Sequence, residues 1–134
     1  MSEIANYVAH GAAQITPAMI EKLLRNLPMW KVEFAQINAP SFPHLVDQLE
    51  FLADAVEDAA EGAYKDLPYY ALAAAAFAIT YAHRKNDIIP DFIGSFGRAD
   101  DSSVVRAVLI LHEKVFAKYA ASQDFNWEKI TDKP

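Results

Sequence analysis

Cysteine is absent from the 134 residues of the chain. Disulfides, cysteine nucleophiles and thiolate metal sites are therefore excluded, and a cytoplasmic location fits. No long run of Lys and Arg occurs either. A sequence-independent grip on nucleic acid needs clustered positive charge, so nucleic acid is not an expected partner. The opening "MSEIANYVAHGAAQ" lacks a charged start followed by an apolar block, so it does not read as a signal peptide. A His-Glu-x-x-His zinc pattern, a phosphate-cradling glycine loop and a nucleophile elbow are all missing. There is no internal repeat, low-complexity tract or domain break.

The longest uncharged stretch is Leu67 to Ala82, "LPYYALAAAAFAITYA". As a helix its sixteen residues would span about 24 Å, short of the roughly 30 Å hydrocarbon core of a bilayer. Alanine dominates it and is only weakly lipophilic. It reads as a buried core helix and not as a transmembrane segment. Peripheral membrane contact would require that helix to be exposed.

What is present is a core-forming composition, 53% hydrophobic and 22% charged. It supports one domain over residues 1–134. The net charge of -6 steers the protein toward basic partners.

The strong periodicities are helical, which predicts an all-α bundle of about five helices. A first helix starts at Thr16-Pro17, a cap followed by a proline suited to the first turn, and ends at Pro28. Met29 to Ile37 forms a second, short helix. A third is capped by Ser41 and opened by Pro43. Leu45, Leu49, Leu52 and Val56 mark its apolar face, and Asp47, Glu50, Asp54, Asp58 and Glu61 its acidic one. Phe51 lies roughly 120° off the apolar stripe, as an exposed contact residue would. Gly62 weakens the end of this helix. Asp66 and Pro68 open the alanine-rich helix, which runs to about Arg84 and is central in the bundle. His83, Arg84 and Lys85 complement its C-terminal dipole. A last long helix runs from about Asp100 to Ala121 with Val104, Val108, Leu111, Val115 and Tyr119 buried. The tail, 122–134, folds Phe125 and Trp127 back onto the core.

Between the last two helices lies "NDIIPDFIGSFGRADD", with Asp87, Asp91, Asp100 and Asp101 in sixteen positions. The first reading is structural. Ile89 precedes Pro90 and so must be extended, ending the helix. Ile88, Ile89, Phe92, Ile93 and Phe96 anchor the segment on the core, and Gly94 and Gly97 permit tight backbone angles. Asp87 serves a turn, and Asp100 or Asp101 caps the next helix. Arg84, Lys85, Arg98 or Arg106 would pair with the carboxylates. The second reading makes the four aspartates oxygen ligands of Mg²⁺, Ca²⁺ or Mn²⁺, although their spacing is not that of the calcium-binding helix-loop-helix. The third makes them catalytic carboxylates.

Residues Tyr64 to Leu109, "YKDLPYYALAAAAFAITYAHRKNDIIPDFIGSFGRADDSSVVRAVL", resemble the YkvA family, bacterial domains of unknown function. The resemblance rests on Tyr64-Lys65, Tyr81, Asp87, Ile89, Pro90, Asp91, Phe92, Ile93, Gly97, Asp100 and Asp101. Lys85-Asn86 and Gly94 stand where that family has proline. The resemblance implies a small helical domain at 64–109, preceded by helices over 16–63, with the aspartate motif as its signature. It implies no activity.

Of the four histidines, His10 lies in a flexible start and His44 at a helix start. His112 reads as a hydrogen-bonded core residue. His83, four residues before Asp87, is the one candidate as an added ligand. The leading functional expectation is a non-enzymatic interaction or scaffold protein, with a protein partner or a second copy of itself. Its acidic face and exposed aromatics would make the contacts. The alternatives are a divalent-metal protein or metal-dependent hydrolase, and, below that, an acidic immunity or antitoxin protein neutralising a basic toxin.

Overall fold

Alanine organises the fold. The structure, a computed structural model, describes residues 3–38, 42–88 and 99–131. Among these there are seven helices and no strand. The fourth, α4 (Tyr69–Ile88), buries Ala71, Ala73, Ala74, Ala75, Ala76, Ala78 and Ala82. A helix that is apolar all round must be covered all round. Here α1 (Glu3–Ala13), α2 (Pro17–Ala35), α3 (Leu45–Glu61) and α5 (Ala99–Leu111) all pack on it. The expected central alanine helix is therefore present, extended past Arg84 to Ile88. No helix among the described residues is long and apolar enough to cross a membrane.

The count exceeds five because of both chain ends and one break. The start of the chain is not a flexible segment: residues 3–13 form α1. Its sparse stripe, Ile4, Val8 and Ala12, continues to Ile15 beyond its end, and Val8 is fully buried. Its partner α4 reaches back through the Tyr69 hydroxyl, which donates to the Ile15 carbonyl at 3.0 Å.

In α2, Thr16 caps as its sequence suggests, accepting from the Met19 N–H at 3.2 Å. Pro28 does not end the helix. An interior proline costs about 3 kcal/mol. Each buried large apolar side chain returns about 1.5–3 kcal/mol, and Ile20, Leu23, Leu27 and Phe34 are all buried on the same helix. Packing outweighs the lost hydrogen bond, and the two short helices of the sequence reading are one.

The last long helix is two, α5 and α6 (Glu113–Ser122). The backbone leaves helical angles at His112 (φ -116°, ψ 37°), whose ring lies 5.2 Å from that of Tyr70 and 6.4 Å from that of Phe116. His112 is thus a half-buried residue at a kink, and desolvation lowers its pKa. A short α7 (Trp127–Thr131) follows. The turn into it carries Asp124 in the left-handed region (φ 60°). Phe125 N–H donates to the Ala120 carbonyl at 2.9 Å and Asp124 N–H to that of Ala121 at 3.3 Å, a Schellman closure that reverses the chain.

Gly11 marks a close approach between α1 and α4. A Cβ built there would overlap the Phe77 ring. Phe77 is itself held by edge contacts from Tyr7 at 5.7 Å, and Tyr81 lies 6.2 Å away. Alanine would gain up to about 1 kcal/mol in helix propensity, but overpacking costs about 1–3 kcal/mol. Gly11→Ala is expected to lower stability by about 1–2 kcal/mol in urea unfolding. A gain instead would mean that Phe77 turns aside freely.

Candidate functional site

The aspartate motif falls largely outside the described residues. Ile89, Pro90, Asp91, Phe92 and Gly97 all lie in residues 89–98. Asp87 belongs to the last turn of α4 and Asp100 to the first turn of α5, with their side chains outside the description. Asp101 is described. It is the third residue of α5, inside the first turn and past the cap position, and is fully buried. Among the described residues, no three His, Asp or Glu side chains are placed to hold a metal ion.

The acidic face of α3 divides into two parts. Toward its C-terminus the carboxylates have partners within the molecule. Lys31 of α2 bonds Asp54 at 3.1 Å and also Glu57. Burial works to lower the Lys31 pKa, but hydrogen bonds to Glu57 and Asp54, and their charges, outweigh it and raise it. Asp58 accepts from the Tyr119 hydroxyl at 2.6 Å. The Tyr119 side chain is fully buried, and its ring lies 5.0 Å from that of Tyr64. Burial, and then the bond to Asp58, push the Tyr119 phenol far above its ordinary range.

Toward the N-terminus of α3, Asp47 and Glu50 are exposed and border a groove against α7. Gln48 explains why α7 lies there. It sits on the buried side of α3, fully enclosed, and donates to the Ile130 carbonyl at 2.8 Å. Phe51 completes the attachment. Its ring is 5.6 Å from that of Phe125 and 5.9 Å from that of Trp127, with Phe116 and Tyr119 behind. Phe51 is therefore not an exposed contact residue; it is 2% exposed, covered by α6 and the tail. The tail folds back as its aromatics suggested, and Phe125 keeps 41% exposure. The groove has a volume of about 490 Å³. Phe51, Phe125 and Ile130 supply apolar wall, Asp47 and Glu50 supply negative charge beside Asp54, which is paired with Lys31, and Lys129 is the one Lys or Arg among the described lining residues.

A second constellation escaped the sequence reading. Trp30 of α2 stacks on His83 of α4, ring centroids 3.9 Å apart and planes 15° from parallel. Glu33, one turn further along α2, lies 3.0 Å from His83 Nδ1. An ionised carboxylate can only accept, so Nδ1 carries the proton. The signal was Trp30 and Glu33 at i and i+3, on one face of the short helix expected over Met29 to Ile37.

Compared with known proteins, the chain matches no family model, no curated protein and no solved structure.

Tyr119→Phe should cost about 1–2 kcal/mol at neutral pH by taking the donor from Asp58. The penalty should shrink above pH about 10. There the unfolded phenol loses its proton while the folded one keeps it, so the unfolded state binds fewer protons and wild-type stability falls as pH rises. The variant lacks this contribution. Urea unfolding at pH 7 and pH 11 measures it; an equal penalty at both would refute the linkage.

Proposed function

We propose that the protein is a non-enzymatic interaction module, cytoplasmic on its cysteine-free composition, and a YkvA-like domain on the resemblance of residues 64–109. Its groove between α3 and α7 takes a short basic and apolar segment of a partner protein. The observation that carries this is the pairing of wall and rim. Phe125, 41% exposed, offers apolar surface for one anchoring side chain, with the buried Phe51 and Ile130 behind it. Asp47 and Glu50, exposed on the rim, offer charge for flanking Lys or Arg. Desolvated aromatic anchors supply most of the energy at such surfaces, and rim charges set orientation and encounter rate. A second copy of this acidic chain is a poorer occupant than a basic segment, since net charge of -6 opposes self-association.

The test is a titration with a peptide carrying one leucine or phenylalanine flanked by lysines and arginines. Binding is expected with a Kd of roughly 1–100 µM. It should weaken at least about tenfold in Asp47→Lys/Glu50→Lys, and weaken with salt as exposed charges are screened. An acidic-flanked control that bound equally well, or binding indifferent to the double charge reversal, would defeat the proposal.

A further inference from the structure

A pocket of about 420 Å³ lies between α2 and α4, away from the groove just described. Lys22, Asn26, Trp30, Thr80, His83 and Arg84 line it, with Met19 and Leu23 adding apolar wall. The chain holds 18 acidic side chains against 12 basic ones, yet among the described residues no carboxylate lines this pocket. Lys22 and Arg84, both exposed, put two full positive charges at it. Glu33, an acid that touches its wall, is engaged with His83 Nδ1. The charge of the described lining residues is therefore opposite in sign to that of the protein.

The wall is also fixed in place. Trp30 is held face to face on His83, and Glu33 orients the imidazole, so one turn of α2 clamps one residue of α4. Leu23, buried to 3% exposure, anchors the same face of α2. Walls set before a ligand arrives reduce the entropy lost on binding. The volume suits a small molecule, and apolar surface with a few placed polar groups is what such sites present.

We infer that this pocket binds a small amphiphilic anion, with a carboxylate or phosphate head at Arg84 and Lys22 and an apolar body against Met19, Leu23 and Trp30. The Arg84 guanidinium offers a planar fork that suits either head, and the Lys22 ammonium adds a point charge. The proposal goes beyond the groove reading and uses none of its residues.

Calorimetric titration of the full chain with octanoate, octyl phosphate, octanol and octylammonium tests it. At least one of the two anions is expected to bind with a Kd of roughly 10 µM to 1 mM. Which of them binds more tightly identifies the head. Octanol and octylammonium should bind at least about tenfold more weakly. Arg84→Gln should weaken the anion at least about tenfold, while Glu50→Lys, in the groove, leaves it unchanged. Circular dichroism checks that the Arg84→Gln chain remains folded, and Lys22→Gln supplies an independent loss at a second exposed position. No binding by either anion, octanol binding as tightly, or an Arg84→Gln chain that binds as wild type would each overturn the inference.

Discussion

The structure depends on the small alanine side chains that make up much of the buried surface of α4. Seven buried alanines let α1, α2, α3 and α5 approach one helix from different sides. Alanine itself contributes little apolar area. The stabilisation comes from the larger residues that alanine admits to the centre: Val8 from α1, Leu27 and Phe34 from α2, Leu49 and Leu52 from α3, Val105 and Leu109 from α5, all fully buried. The same closeness leaves little tolerance. Gly11 meets Phe77 at a place where not even a methyl group has room. Helix propensity and packing agree along α4, since alanine is both the best helix former and the smallest side chain with a Cβ.

With the core assigned to α4, the polar residues of the surrounding helices take two roles. On α3 the change happens within a single helix. Asp54, Glu57 and Asp58 are bound to Lys31 and Tyr119 and hold α2 and α6 in place. Glu50 and Asp47, one and two turns earlier than Asp54, face the groove formed by the returning tail. Surface ion pairs contribute little alone. The Asp58 to Tyr119 bond differs because its donor is fully buried, so the hydroxyl would be left without a partner if the carboxylate were removed.

The sequence carried the fold class and most helix faces, because apolar period and burial are the same physical fact read twice. Leu45, Leu49, Leu52 and Val56 were legible on α3, and so was the alanine helix. What was not legible depended on competition between local and distant terms. Pro28 is a local stop signal that loses to burial of Leu27 and Phe34, which only the assembled bundle provides. Phe51 lies off the local stripe and is buried because a tail more than seventy residues later returns to cover it. Gln48 was the available clue: an amide between Leu45 and Leu52 on the buried face demands a distant partner, here the Ile130 carbonyl. The α2–α4 pocket was hidden by the same Pro28, since breaking the helix there separates Trp30 from the Lys22 and Asn26 that share it.

One turn of α2 links the two candidate sites. Trp30 and Glu33 reach α4 and hold His83 in the wall of the basic pocket. Lys31, between them in sequence, turns to α3 and bonds Asp54, which lines the acidic groove. A backbone adjustment at this turn would be felt at both places, because neither contact is a long side chain waving in solvent: Trp30, Lys31, Glu33 and Asp54 are all partly buried. Substituting Lys31 would free Asp54 and Glu57 to repel each other, raising negative charge at the groove while loosening α2 from α3. Arg84 and Glu50 are different in kind. Each is exposed and borders one site only. The charge of opposite sign at the two sites can therefore be altered separately at those positions, whereas at Lys31 charge and packing change together.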